Sequence, residues 1–201
     1  MTVAELMAAL ASPEPTPGGG TAAAVAGAMG ASLLVMVAGL AKSKSNTDEE
    51  KAALATARAA LEPIAARLMQ LADADSDAFN AVMAAYRLPK ATDEDKSART
   101  AAIQAGLHGA TTVPLDTLRA CADALAHGRA VADYGNRSAA SDVGVAIGLL
   151  KAAADGAAEN VAINLASIKD ESFKNATAGE TARLSAEAST AAAAARQSVS
   201  G

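Results

Sequence analysis

Two carboxylates, a glycine turn and a pair of asparagines are the parts of this sequence whose types and spacing could do chemistry. Asp75 falls in a seam of apolar residues, Leu54, Leu61, Ile64, Leu68 and Leu71 before it and Ala78, Val82 and Ala85 after it. A carboxylate in such a seam must be paired, hydrogen-bonded or protonated, and a carboxyl group so placed can serve as general acid or base. The alternatives are a helix that rotates after Pro63 and exposes Asp75, or pairing with a buried arginine. Asp142 follows Ser138 and Ser141 at an expected helix start, where it reads as a cap or dipole partner or as a second carboxylate of a site. Asn160 and Asn164 lie one helical turn apart on the Asp142 face, placed to bond a ligand's amide edge or each other and water.

The glycine turn is Pro17-Gly18-Gly19-Gly20-Thr21, at the entry to a long apolar segment. A turn there delivers unpaired backbone N–H groups at a positive helix end, which attract anionic or carbonyl oxygen. Glycine would be needed for positive φ, for close backbone approach, or for a tight crossing of alanine-rich helices. No Gly-Lys-Ser/Thr follows, which excludes a phosphate loop, and no strand precedes it, which excludes a dinucleotide fingerprint. His108, His127 and Cys121 lack metal-ligand or nucleophile spacing and read as structural, so no metal site is expected.

The elements that must position these groups are helices. Thr2 and Glu5 form a capping box ahead of Val3, Leu6, Met7 and Leu10, and Ser12–Gly20, with three prolines and three glycines, is a loop. Residues 21–41 carry no charge; their length would allow a membrane span, but their alanine and glycine content predicts a buried core helix. Thr47 and Glu50 cap a helix expected to reach Leu88, kinked or divided at Pro63. Another starts at Thr92, and Pro114 is expected to open a separate one that ends at Gly135. An uninterrupted helix follows from Asp142 to about Ile168. The stretch after Asp170 is helical by propensity but poor in large apolar residues, and is expected to pack loosely or on a second subunit.

Without alternating β-branched runs or a repeat, the chain is expected to be one all-α domain over residues 1–201, an antiparallel bundle of long Ala-rich helices. Its hydrophobic content of 51% is mostly alanine, with 2% aromatics and no tryptophan, so the core must use small side chains and close helix contacts. A net charge of −5 without a basic stripe argues against a nucleic-acid partner. A lone cysteine and a start without the regions of a signal peptide predict a cytoplasmic protein with no membrane partner.

Pro15-Thr16-Pro17-Gly18-Gly19-Gly20-Thr21-Ala22-Ala23-Ala24 resembles the signature turn of the formiminotetrahydrofolate cyclodeaminase and methenyltetrahydrofolate cyclohydrolase family. Further segments resemble it in order: Asp75-Ser76-Asp77-Ala78-Phe79, Leu88-Pro89-Lys90, Val113-Pro114-Leu115, Gly135-Asn136 with Ser141-Asp142, Gly156-Ala157, Asn160-Val161 and Ile163-Asn164-Leu165. One departure is Ala41-Lys42-Ser43-Lys44-Ser45, where the family shows a Gly-Lys-Lys-Tyr-like run. The resemblance implies an all-α homodimer with no cofactor beyond a tetrahydrofolate substrate. It implies catalytic roles for Asp75 and Asp142, and folate contacts from Pro17, Gly18, Gly19, Gly20, Thr21, Asn136, Ser141, Asn160 and Asn164.

Two reactions fit that resemblance. Hydrolysis of 5,10-methenyltetrahydrofolate to 10-formyltetrahydrofolate needs a carboxylate to orient water and to face a cationic amidinium; cyclodeamination of the formimino compound needs an acid for the departing ammonia. The chain carries no transferase domain, which favours the cyclohydrolase. A helical scaffold or membrane-associated adaptor is the non-enzymatic alternative, and it gives no reason for three glycines beside an in-seam aspartate.

Overall fold

The computed structural model describes residues 1–40 and 46–200; Lys42 and Lys44 lie outside the described residues. The described residues form α1 (Val3–Leu10), α2 (Gly19–Gly39), α3 (Asp48–Tyr86), α4 (Asp93–Tyr134), a 3-10 turn at Arg137–Ala139, α5 (Ala140–Leu165) and α6 (Glu171–Ser200). α2 is central, with α3 and α5 on its flanks and α4 behind, and α6 closes the outer side against α4 and α5.

Reciprocal capping boxes start three of these helices, with Thr2 and Glu5 on α1, Thr47 and Glu50 on α3, and Thr92 and Asp95 on α4. Each satisfies backbone donors that a helix start leaves unpaired. Acidic residues fill the first turns of α3 and α4, where the helix dipole favours them.

Neither Pro63 nor Pro114 divides its helix. α3 runs unbroken through the exposed Pro63, and α4 is one helix of 42 residues across Pro114. A proline removes one N–H, and its ring crowds the carbonyl four residues earlier. Where packing holds both sides and another donor reaches that carbonyl, the helix continues, and at Pro114 such a donor exists.

The small-residue core draws helices close. A side chain at Gly27 of α2 would meet Cys121 Sγ at 2.9 Å and Leu68 Cδ2 at 3.3 Å, and one at Gly30 would meet Ala146 O at 2.7 Å. Gly27 and Gly30 therefore let α2 touch α3, α4 and α5 at near-backbone distance. Leu34, Leu61, Leu68, Leu71, Leu118, Leu125, Ile147 and Leu150 fill the space between.

The C-terminal stretch is not loosely held. α6 buries Thr177, Leu184, Ala188, Ala192 and Ala195, a stripe whose small side chains lie close to α4 and α5. Arg119 on α4 clamps Glu180 on α6 with two bonds, Nε to Oε1 at 2.9 Å and Nη2 to Oε2 at 2.6 Å. That fork holds the Glu180 carboxyl below the usual carboxylate range.

α2 is long and apolar enough to cross a membrane by length and composition, with mean hydropathy 1.9 over its apolar window. Half of that window is buried inside the bundle, among it Ala24, Ala28, Ala31 and Leu34.

Candidate functional site at the glycine turn

Asp75 is carried on the seam of α3 to the first turn of α2. Leu54, Leu61, Leu68, Leu71, Val82 and Ala85 are buried on that seam, Ile64 and Ala78 half-buried, and Asp75 half-buried with them. The helix does not rotate the carboxylate out to solvent after Pro63, and no salt bridge is found to it among the described residues. Its fixed neighbour is Thr21, a buried hydroxyl 3.0 Å from Asp75 Oδ2 and 3.3 Å from both Ala72 O and Ser76 Oγ. Donated to the carboxylate, that hydroxyl orients it.

Glycine at position 20 is explained by the same carboxylate. A Cβ on Gly20 would overlap Asp75 Oδ1 and stand 2.6 Å from Cγ and 2.8 Å from Oδ2. The carboxyl group thus lies against bare backbone at the start of α2. The structure corrects one expectation here, since none of the glycines among the described residues has positive φ. Gly19 and Gly20 are helical residues, Gly18 is the N-cap, and the need is for close approach at Gly20, while Gly19 has only Asn160 Nδ2 near, at 3.9 Å. Gly18 contributes no side-chain cap, so the first N–H groups of α2 keep their donors.

These groups open onto one cavity of about 170 Å³, lined by Pro15, Thr16, Gly18, Gly19, Gly20, Asp75, Phe79, Ala110, Asn160 and Asn164. Asn160 donates Nδ2 to Gly156 O and Asn164 donates Nδ2 to Ala110 O, both at 2.7 Å. Each amide is thereby held in place and keeps its oxygen as an acceptor. Placed together are a carboxylate, two fixed amides, a run of backbone donors and one aromatic wall.

Not every expected residue is here. Pro17 does not line the cavity, and Thr21 reaches it only through Asp75. Ser141 and Asp142 are at the other end of α5, exposed and half-buried in its first turn. From residue 142 to residue 160 the helix advances about 27 Å at 1.5 Å per residue. Within one chain Asp142 and Asp75 therefore cannot hold the same atom. Asn136 accepts from Ser138 N and lines a separate cavity of about 380 Å³ with Asn46, Glu50, Asp133, Arg137 and Ser198 among others.

Pro15, Thr16, Phe79 and Ala110 line the cavity without having been expected as site residues, although the first three stand in the segments that resemble the family. Phe79 lies one turn after Asp75, a spacing that placed it on the same face. Ala110 carried a fainter signal, being four residues before Pro114, where a helix carbonyl loses its donor. His108 stacks on Phe173 with centroids 4.2 Å apart, and Cys121 is buried with its thiol pushed up to about 12 by desolvation, so both are structural.

The profile of the formiminotransferase-cyclodeaminase family matches residues 2–183. The chain is 42% identical to a methenyltetrahydrofolate cyclohydrolase of Methylorubrum extorquens, covering 93% of this chain and 90% of that protein. It is 36% identical to the formimidoyltransferase-cyclodeaminase of Gallus gallus over 86% of this chain, and spans 32% of that longer protein. Among solved structures, formiminotetrahydrofolate cyclodeaminase from Thermotoga maritima superposes with a TM-score of 0.88 at 29% identity, over all of this chain and 96% of that one.

Proposed function

The chain belongs to the formiminotransferase-cyclodeaminase family, and we propose that it hydrolyses 5,10-methenyltetrahydrofolate to 10-formyltetrahydrofolate at the glycine-turn cavity. The observation that carries this reading is the Asp75 carboxylate, held by Thr21 and pressed on the backbone of Gly20 beside two fixed asparagine amides.

In this reaction water attacks the methenyl carbon of a cationic amidinium that bridges N5 and N10. Asp75 accepts the water proton as the C–O bond forms, and its charge faces the cation beforehand. The C–N5 bond then breaks with its electron pair going to N5, which takes the proton held by Asp75, while the new hydroxyl loses its proton to solvent and becomes the carbonyl of the formyl group left on N10. Donors at the start of α2 suit the oxygen that develops on the one-carbon unit. Asn160 and Asn164 offer acceptor oxygens for N–H groups of the substrate's pterin ring.

The cyclodeaminase is the second reading, favoured by the likeness to the Thermotoga maritima enzyme. It passes through a tetrahedral centre at the same carbon, with a protonated Asp75 giving its proton to the departing ammonia. Identity of 42% to the Methylorubrum extorquens cyclohydrolase, against 36% to the Gallus gallus protein and 29% to the Thermotoga maritima enzyme, favours the hydrolase. Loss of methenyltetrahydrofolate absorbance, run beside ammonia release from the formimino compound, assigns the activity. Turnover of the first without the second supports the hydrolase; the reverse replaces it.

The same reading includes a cytoplasmic homodimer that uses no metal and no cofactor beyond the folate substrate. One carboxylate and two amides are a poor donor set for zinc, which is bound by thiolates and imidazoles as well as carboxylates. A cationic amidinium already carries the electrophilic charge that a metal would otherwise supply.

A further inference from the structure

Thr111 and Thr117 are buried threonines whose hydroxyls donate to the carbonyl four residues earlier in their own helix, Leu107 O at 2.7 Å and Val113 O at 3.2 Å. That is the ordinary way for a helical threonine to satisfy its O–H. Thr21 is also buried, yet it crosses from α2 to α3 and meets three oxygens there: Asp75 Oδ2 at 3.0 Å, and Ala72 O and Ser76 Oγ at 3.3 Å. A hydroxyl has one proton and two lone pairs, so it donates to one of the three. The carboxylate is the nearest and the strongest acceptor. With the Thr21 proton given to it, Ser76 is the donor in the contact with Thr21, and the bonds run from Ser76 through Thr21 to Asp75.

This line stands behind Asp75. Thr21, Ala72 and Ser76 do not line the glycine-turn cavity, whereas Asp75 does. At the far end Ser76 is half-buried, and Asp73 and Asp77 beside it on α3 are exposed, so that end meets water. Asp75 is therefore open to the cavity on one side and joined through two hydroxyls to the surface on the other.

We propose that Thr21 and Ser76 relay the surplus proton of the reaction from Asp75 to solvent, an inference that rests on the hydrolysis proposed for the cavity. A cation and water become a neutral formyl compound, so of the two protons of the attacking water one ends on N5 and the other is released. Substrate in a cavity of about 170 Å³ fills the space in front of Asp75, which leaves the hydroxyl line behind it as the way out. Once its first proton has gone to N5, Asp75 is a carboxylate again and takes the second at Oδ2, as the O–H bond of the new hydroxyl breaks and its electron pair completes the carbonyl. The line then reverses. Oδ2–H donates to Thr21 Oγ, the Thr21 proton passes to Ser76 Oγ and the Ser76 proton to water, one O–H bond forming as the next breaks, so each hydroxyl ends with the one proton it began with. Linked hydroxyls polarise one another, which favours such a transfer.

The test uses the full chain and the loss of methenyltetrahydrofolate absorbance, with the enzyme-free rate subtracted. Ser76→Ala leaves the bond between Thr21 and Asp75 in place and removes only the outer hydroxyl. In dilute buffer its kcat should fall by about tenfold, less than the roughly 100-fold or more contributed by a group that takes the proton itself. KM and melting temperature should stay unchanged. Imidazole at constant pH enters the gap at the surface and should restore kcat toward the wild-type value, while wild type does not respond to it. Ser76→Thr, which puts a hydroxyl back, should recover most of the rate lost in Ser76→Ala. Thr21→Val breaks the line at a buried position, where imidazole should restore nothing. A wild-type kcat for Ser76→Ala in dilute buffer overturns the relay, and so does a loss that imidazole fails to repair, which is what a merely structural hydroxyl would give. A wild type that does not consume methenyltetrahydrofolate overturns the reaction and the relay with it, and the wild-type rate alone tells that result from the other two.

Discussion

Asn164 supplies the hydrogen bond that Pro114 removes from α4. Pro114 has no N–H for the carbonyl of Ala110 four residues earlier, and Asn164 Nδ2 reaches that oxygen at 2.7 Å from α5. One bond keeps a proline inside a helix of 42 residues, ties α5 to α4, and fixes an amide at the cavity wall.

Asn164→Leu therefore leaves a carbonyl unpaired beside a crowded proline, at a cost of about 1–3 kcal/mol. Pro114→Ala added to it returns an N–H to the helix and recovers much of the loss. Urea midpoints of the two single variants and the double variant measure the coupling. Equal cost of Asn164→Leu in both backgrounds means that Asn164 does not compensate the proline.

Gly20→Ala separates close approach from backbone freedom. Its Cβ would press on Asp75, which must then move from the mouth of α2, whereas Gly19→Ala meets only Asn160 Nδ2 at 3.9 Å. Displacing a reacting group by about 1 Å costs on the order of 100-fold in turnover, so Gly20→Ala should lose about that much and Gly19→Ala little. Melting temperatures report folding separately, and comparable kcat for the two variants removes the argument.

Much of this architecture was legible because capping boxes and apolar spacing are local. The helix starts at Thr2, Thr47 and Thr92, the seam through Asp75 and the glycine turn all follow from residues within a few turns of each other. The continuity of α4 was not legible, because the donor that rescues Pro114 comes from residue 164, far along the chain. The packing of α6 was missed for a related reason: buried Ala188, Ala192 and Ala195 give a weak hydrophobic signal, and their value lies in how closely α4 and α5 approach. At the site, the sequence offered Asp75 and Asp142 with equal claim, and only the length of α5 shows that one chain cannot use both on one atom.

Cys121 makes a prediction about alkaline pH. Burial pushes its thiol up to about 12, from an ordinary value near 9.0, because the charged form is disfavoured in the core. The folded chain then binds the proton more tightly than the unfolded chain. The resulting stability is complete below about pH 9 and declines as pH rises toward 12, by at most about 1.4 kcal/mol per pH unit. Cys121→Ala lacks this titration, so its stability relative to wild type should improve between pH 8 and pH 10.5 in urea unfolding. A constant difference contradicts the burial of the thiol, as does rapid alkylation of Cys121 in the native protein at pH 8.

Asp75→Asn is the variant on which the site stands. Asparagine keeps the size of the side chain and can still meet the Thr21 hydroxyl through its amide oxygen, so the start of α2 and the cavity should survive. What it loses is the negative charge that faces the amidinium and the ability to take a proton from water. General acid–base catalysis contributes about 100-fold to 10,000-fold, so kcat should fall within that range with KM and melting temperature little changed. Thr21→Val, which removes the hydroxyl that orients the carboxylate, should cost less, because the proton acceptor remains. In the proposed homodimer only a partner copy would bring Asp142 to the cavity, because it is about 27 Å along α5 from Asn160 in one chain, so Asp142→Asn should act on KM more than on kcat. Near-normal kcat in Asp75→Asn would reduce that carboxylate to a structural partner of Thr21, and a kcat collapse in Asp142→Asn would then pass the catalytic role to the far end of α5.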